Sequence, residues 1–320
     1  MFICQYSEGS WKLPKITKYE PFEVDPSLRV FHYGQAVFEG MKAYKDEEGR
    51  TWMFRPMENI KRFNISSKRL DIPSFPEDVF LSALEKLIAL EKDWIQKGEG
   101  NALYIRPFVI ATDNNIMANS SSAYKFMIIC SPVQSYYSGS IKVKIEQHYS
   151  RSANGGYGYA KASGNYAGQF YPTKIAIEEG FQQIIWTDSE QHEYLEEAGT
   201  MNIFFRIHNT LITSPTSDRI LDGITRNSII ALAKQKGIKA EERAIKLQEI
   251  LEAHHKGTLK EIFGTGTAAT ITPVSTFGYQ SNTYDLQEQQ DSYANMFKQL
   301  ITDIQYNRAE DSFGWRYLVK

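Results

Sequence analysis

The sequence predicts an α+β fold in two domains. Three observations predict it. The chain has 320 residues, enough for two domains at roughly 150 residues each. Strand-like and helix-like segments are mixed without the strict alternation of a doubly wound parallel sheet. A polar, turn-rich stretch, SPVQSYYSGS at 131–140, interrupts the strands and marks a boundary. The expected division is a smaller N-terminal α/β domain over 1–133, a loop over 134–139, and a larger C-terminal domain over 140–320.

From the N-terminus, WKLPKITKYEPFEV alternates loosely and holds two prolines, which suits an edge strand and loop. FHYGQAVFEGMKAYKDEEGRTWMFRP reads as strands joined by a turn at Asp46–Gly49. PEDVFLSALEKLIALEKDWIQKG is the clearest helix. Ser74 is placed to cap it and Gly98 to end it. Phe80, Leu84, Leu87, Ile88 and Ile95 fall on one face. ALYIRPFVIAT and KFMIICSPV follow as strands. Beyond the boundary, IKVKIEQ, QQIIWTD and NIFFRIHNTLIT are strand-like, the last with a hairpin turn at His208–Asn209–Thr210. TKIAIEEG and TRNSIIALAKQKG read as helices, each closed by glycine.

Composition excludes several function classes. Apolar residues make up 42% and charged residues 23% of the chain, ordinary for a globular protein. A net charge of −2 carries no basic surplus for nucleic acid or an anionic membrane. The longest apolar runs are too short to cross a bilayer, and no secretory signal is visible. Cys4 and Cys130 stand far apart and read as free thiols of a reducing, cytoplasmic compartment. The six histidines lack ligand spacing, so no metal site is expected; His254–His255 suits a solvated helix end. With 19 Tyr and 18 Phe, the chain has aromatic surface for a core and also for a pocket that takes an apolar ligand.

Four short strings carry chemistry. GGYGYAKASGNYAG sets Lys161 among glycines. A lysine becomes a nucleophile toward carbonyls when burial keeps its amine neutral part of the time; most loop lysines are simply solvated. In YLEEAGTMNIFF, two acids precede an apolar strand, where a carboxylate can pair with a protonated heterocyclic nitrogen or only decorate a turn. LDGITRNSII opens a helix near Thr225, whose N–H groups and dipole suit a phosphate, or whose start is merely capped by Thr225. EIFGTGTAATITPV matches G-x-G-x-x-A, yet β-branched residues and a proline follow, so it does not open a dinucleotide-binding helix. A turn whose backbone N–H groups hold an anion fits better.

Taken together, HYGQAVFEGMKAY, LYIRP, KASGNY, EEAGTMNIFF, DGITR and FGTGTAATITPV occur in the order seen in branched-chain aminotransferases, and the likeness runs from GSWKLPKI to IQYNRAEDSFGW. The chain therefore resembles that family of pyridoxal 5′-phosphate (PLP) enzymes. The resemblance implies fold type IV, D-amino acid aminotransferase-like, with two domains and a homodimer or larger assembly. It implies transamination of L-leucine, L-isoleucine and L-valine with 2-oxoglutarate, giving branched-chain 2-oxo acids and L-glutamate.

Residue roles follow from the resemblance. Lys161 forms the internal aldimine and shuttles the proton between Cα and C4′. Tyr166 bonds the cofactor's 3′-oxygen. Glu197, preferred to Glu196 by its place before the small–Gly–Thr step, faces the pyridine nitrogen. Arg62, Ile224, Thr225 and Thr267 hold the phosphate, and Thr200 lines the site. Tyr33, Phe38, Tyr104 and Tyr136 form the aromatic substrate wall. Arg106 receives the distal carboxylate of glutamate, and Thr267 and Ala268 take the α-carboxylate.

The departures are local. Ala162–Ser163 replaces a common Gly–Gly, and Asp222–Gly223–Ile224 a more usual Pro–Gly–Val. Ala269 and Thr272 stand where some mammalian relatives carry a redox-active cysteine pair. Relatives usually carry further residues before the position of Met1. Other readings are another fold type IV enzyme (a D-amino acid aminotransferase or aminodeoxychorismate lyase) and a non-catalytic PLP-binding protein. HYGQAVFEGMKAY with LYIRP speaks against the first, and the intact set Lys161, Tyr166, Glu197 and Arg62 against the second.

Overall fold

The computed structural model describes residues 1–134, 139–267 and 270–320. They form two compact units. The first is Met1–Ser135 with Ala160–Gly164 and Asp303–Lys320; the second is Tyr136–Tyr159 with Asn165–Thr302. The expected division into 1–133 and 140–320 assumed a single crossing. The first unit instead reclaims two later segments, because Ala162 bridges to Val37 and the strand Arg316–Leu318 pairs with Thr51–Phe54.

In the first unit a nine-stranded sheet is antiparallel throughout its described pairings. Its centre is the long pair Ala102–Ala111 and Tyr124–Val133, in register from Ala102↔Val133 to Ala111↔Tyr124. Alternation puts Leu103, Ile105 and Val109 in the core and leaves Tyr104, Arg106 and Phe108 together on the other face. The helices Pro56–Arg69 and Glu77–Glu91 supply the rest of that core. Phe63, Phe75, Phe80 and Phe126 meet there, mostly edge-to-face, at ring separations of 4.3–6.0 Å, the geometry that the aromatic quadrupole favours.

The expected apolar face Phe80, Leu84, Leu87, Ile88 and Ile95 is fully inside. The ends of that helix differ from the sequence reading. Pro76, not Ser74, is the N-cap; its fixed φ of −57° is already compatible with the turn. The helix stops at Glu91 and tightens into a short 3₁₀ turn over Lys92–Trp94, well before Gly98. FHY belongs to a short helix, Arg29–Tyr33, closed by left-handed Gly34 at φ 62°. Both cysteines are free thiols, and burial pushes Cys130 up to about 12, which makes it a poor nucleophile.

The second unit holds a ten-stranded mixed sheet. Ile141–Ile145 runs parallel to both Gln183–Thr187 and Thr270–Tyr279. Tyr194–Ala198 and Met201–Ile207 form a hairpin whose two-residue turn uses left-handed Gly199 at φ 54°. Met201–Ile207 continues through a turn at His208–Asn209 into Thr210–Thr213, so that Thr210, expected in the turn, opens the strand, and on its other side pairs with Leu259–Gly266. The helices Phe170–Glu178 and Ile224–Gln235 confirm two helical segments read from the sequence. Strands and helices are intermixed in both units, as the α+β reading expects.

Candidate functional site

In the first unit the peptide carrying Lys161 is laid along strand Ala36–Phe38. Phe38 N–H donates to the Lys161 carbonyl at 3.1 Å, and Ser163 N–H to the Ala36 carbonyl at 3.1 Å. The Lys161 N–H donates to Ser66 Oγ at 2.9 Å, from the buried face of helix Pro56–Arg69. Backbone bonds on both sides of one residue fix where its side chain begins. Neither Ala162 nor Ser163 has a positive φ, so the departure from Gly–Gly strains nothing. The Lys161 ammonium lies over the Phe38 ring, 4.8 Å from its centroid.

Phe38, Tyr104 and Arg106 are brought together as expected. The Arg106 guanidinium lies 4.7 Å from the Phe38 centroid and 5.2 Å from that of Tyr104, a weakly hydrated cation stacked on aromatic faces. Its Nη2 donates to the Tyr104 hydroxyl at 2.9 Å, while its Nε is buried without a hydrogen-bond partner. A buried donor without an acceptor costs free energy until one arrives. Gly40 permits this approach, since a Cβ there would sit 2.3 Å from the Tyr104 hydroxyl oxygen. Tyr33 lies apart at the end of its short helix, 46% exposed, with its hydroxyl donating to the Ile116 carbonyl.

Arg62 comes with a partner that the sequence reading gave no role. Glu39 is fully buried and takes Arg62 Nε on one oxygen at 2.7 Å and Nη2 on the other at 2.9 Å. Asn59 Nδ2 adds a bond at 2.8 Å. Asn59, Arg62 and Ser66 share one face of their helix at i, i+3 and i+7. Burial opposes ionisation of Glu39, but the charges of Arg62 and then Lys161 overcome it and hold its carboxyl below the usual range. Glu39 was visible in VFEGM as an acid amid apolar residues, which is the signal that would have found it.

In the second unit Glu197 is buried and held on all sides. Arg151 Nη1 pairs with its Oε2 at 3.0 Å; Asn202 Nδ2 and the Leu221 N–H each donate to Oε1 at 2.9 Å. Arg151 and Asn202 were not singled out from sequence. Arg151 lies in a glycine-rich loop with no local pattern, and Asn202 shows only as a polar residue entering an apolar strand. Alternation along Tyr194–Ala198 sends Glu196 to the opposite face, where it meets Arg219. The two acids of one dipeptide therefore have unrelated surroundings.

Helix Ile224–Gln235 begins beside this carboxylate. Its N-cap is Gly223, with extended φ −77° and ψ 126° and no side-chain cap; Thr225 is inside the first turn and does not cap it. A helix N-terminus without a side-chain cap is suited to an anion. A Cβ on Gly223 would lie 1.8 Å from Asn202 Oδ1, so the close approach requires glycine. Thr265 pairs with Asn202 across the sheet, and the Gly266–Thr267 turn follows at the strand end. Thr200 is exposed in the hairpin turn, its carbonyl 3.8 Å from where a Gly266 Cβ would be. Tyr166 is half-buried in the one-turn helix Gly164–Ala167. Tyr136 and Ala268 lie outside the described residues. Among the described residues no group of His, Cys, Asp and Glu could hold a metal, and no helix is long and apolar enough to cross a membrane.

Comparison with known proteins adds independent findings. The family model for class IV aminotransferases matches residues 36–277. Branched-chain-amino-acid transaminase 1 of Bacillus subtilis is 44% identical over 98% of this chain and 90% of its own length. The branched-chain-amino-acid aminotransferase of Mycolicibacterium smegmatis is 38% identical over 96% and 86%. Among solved structures, the Escherichia coli branched-chain amino acid aminotransferase superposes with a TM-score of 0.77 at 25% identity, over 100% of this chain and 99% of that one. The branched-chain aminotransferase of the thermophilic archaeon Thermoproteus uzoniensis, solved with norvaline, has the same fold at 22% identity and TM-score 0.81, covering 100% of this chain and 100% of its own.

Proposed function

The chain belongs to the class IV aminotransferases and, within them, to the branched-chain-amino-acid transaminases, and on that premise we propose that its residues carry out one transamination cycle as follows. Amino groups pass from L-leucine, L-isoleucine and L-valine to 2-oxoglutarate, giving the branched-chain 2-oxo acids and L-glutamate. The observation that carries the residue assignment is the stack of Lys161 and Arg106 on one Phe38 ring, with a donor of Arg106 left without an acceptor.

The described residues fit pyridoxal 5′-phosphate. In the second unit the helix start at Gly223–Thr225, which has no side-chain cap, and the Gly266–Thr267 turn offer N–H groups suited to a phosphate; in the first unit Arg62 is a guanidinium suited to the same group. Glu197, paired with Arg151 and accepting two N–H donors, would accept from a proton-bearing ring nitrogen. Bound cofactor supplies an electron sink for negative charge developing at the substrate Cα. Lys161 would hold the cofactor and, with its amine free, would carry the proton to and from the substrate Cα. Tyr166 would donate a hydrogen bond to the cofactor, and Thr200 would help to hold it. Phe38 and Tyr104 receive the aliphatic side chain. The backbone N–H of Thr267 takes the α-carboxylate.

Arg106 solves the specificity problem, since the same pocket must take an apolar side chain and then a carboxylate. Its aromatic stacking keeps the charge folded away, and Nε and the fork remain for the distal carboxylate of glutamate. Arg106→Ala is expected to lower kcat/KM for 2-oxoglutarate by about 10- to 100-fold, the worth of a charge-assisted hydrogen bond. That for leucine should change several-fold less. Parallel initial-rate measurements check this; equal losses would remove Arg106 from the role.

Gly223→Ala tests the helix start. The new methyl must displace the Asn202 amide, which bonds both Glu197 and the Leu221 carbonyl. Cofactor dissociation, followed by loss of visible absorbance on dialysis, is expected to speed up at least about tenfold through loss of one such bond to a charged group. Unchanged retention would show that neither the helix start nor Asn202 bears on the cofactor.

A homodimer in the cytoplasm is the proposed setting. Phe31, Tyr33, Ile116 and Met117 are large, apolar and exposed in the first unit, which suits burial against a second copy. The whole reading is tested by the absorbance of purified protein with added cofactor, then leucine, then 2-oxoglutarate. Leucine should bleach a visible band and 2-oxoglutarate restore it. No visible band after added cofactor would overturn the proposal.

A further inference from the structure

The opposite face of the Glu197 hairpin holds a feature that transamination does not use. A cavity of about 400 Å³ opens there, wholly within the second unit, lined among others by Asp188, Glu190, Tyr194, Glu196 and Arg219. That volume falls in the range of small-molecule sites. Three carboxylates face one guanidinium, so the cavity has an acidic surplus.

Glu196 is the unusual member. Its residue is only 4% exposed, and neither carboxylate oxygen has a hydrogen-bond partner. Arg219 Nε comes within 2.5 Å of Oε1, an ion contact outside hydrogen-bond angles. Buried carboxylates normally accept several hydrogen bonds, and Glu197, the next residue, accepts from Asn202 and Leu221. Burial pushes Glu196 up to about 7, against the pull of Arg219, with Glu197 adding to the rise. The other acids are already engaged. Asp188 accepts four backbone N–H bonds and stays anionic, and Glu190 takes Asn154 Nδ2 at 2.6 Å.

Arg219 is engaged elsewhere as well. Its carbonyl accepts from Arg151 Nη1 at 2.7 Å, and a Cβ on Gly158 would fall 2.4 Å from that same oxygen, so its main chain is fixed. Its Nη1 donates to Asn154 Oδ1 at 2.7 Å. Glu196 Oε2 is therefore left at the cavity wall without a donor.

We propose that this cavity is a second ligand site, taking a small organic cation with N–H donors, of the ammonium or guanidinium class, whose N–H groups bind Glu196 and Glu190. The occupant has a route to the cofactor acid. Arg151 contacts both the Arg219 carbonyl and Glu197, and the segment Arg219–Leu221 delivers the Leu221 N–H to Glu197. The site is independent of the transaminase assignment, since none of its lining residues is given a role in that reaction.

Methylguanidinium is the probe, because it has N–H donors and no aliphatic amine to condense with the cofactor. Calorimetric titration of the holoenzyme should give one saturable site per chain. Tetramethylammonium, equally charged but without N–H groups, should bind at least about tenfold more weakly, as should methylguanidinium to Glu196→Gln, since each removes a charge-assisted hydrogen bond. The exposed-side variant Glu190→Gln gives the same test without disturbing the buried pair. No saturable heat, equal binding of both cations, unchanged affinity in both variants, or binding of sulfate at Arg219 in place of the cation would each overturn the proposal.

Discussion

Lys161→Ala is expected to reduce turnover with leucine and 2-oxoglutarate by at least about 10⁴-fold, the upper end of what a positioned acid–base group contributes, with loss of covalent attachment added to it. The fold should survive, because the residue is held by its main chain. The bonds to Ser66 Oγ and from Phe38 N–H do not involve the side chain. Near-native circular dichroism and thermal midpoint should accompany the lost activity. Small amines added to the variant should restore part of the rate, since they supply a proton carrier where the ammonium stood over Phe38. A variant that keeps more than a hundredth of the wild-type rate would place the proton transfer elsewhere.

The second large effect falls on stability. Glu39→Ala leaves the Arg62 guanidinium buried without its bidentate partner. Breaking such a pair from one side costs about 3–5 kcal/mol, a large fraction of a domain's stability. Denaturant unfolding should show a clear drop in midpoint for the transition of the first unit. Removing both partners, as Glu39→Met with Arg62→Leu, should recover most of it, because an apolar pair avoids the desolvation cost. That double variant should still bind cofactor more weakly if Arg62 holds phosphate, so stability and cofactor affinity separate. A single variant as stable as wild type would show the pair to be energetically idle.

The pH dependence of this effect has a definite sign. The Glu39 carboxyl is held below its ordinary value of 4.5 in the folded protein. Its contribution is then fully present above that value and is lost as pH falls below it toward the lowered one. The difference between wild type and Glu39→Ala should therefore be largest near neutrality and shrink on acidification.

Sequence and structure divided the information unevenly, and particular residues show why. The apolar stripe of Glu77–Glu91 was legible because helical periodicity is local, whereas its true ends were not, because Pro76 and the 3₁₀ turn at Lys92–Trp94 depend on how the chain meets the sheet. Phe38, Tyr104 and Arg106 were legible as a set through family resemblance, and strand alternation explains why Tyr104 and Arg106 share a face. Glu39 was inside a quoted motif and still passed without a role, since nothing in its neighbours tells that Arg62, on a later helix, will meet it. Arg151 and Asn202 carried no signal strong enough to single them out.

By itself the sequence determined the mixed fold class and the family, because these rest on ordered motifs and short-range patterns. Only the tertiary structure decided which charges meet: Glu39 with Arg62, Arg151 with Glu197, Glu196 facing a cavity. It also decided that the peptide of Lys161 belongs to the first unit, by backbone bonds to strand Ala36–Phe38. The physical reason is that burial and pairing are long-range properties. A carboxylate's surroundings depend on residues far along the chain, so Glu196 and Glu197, neighbours in sequence, have different partners in space.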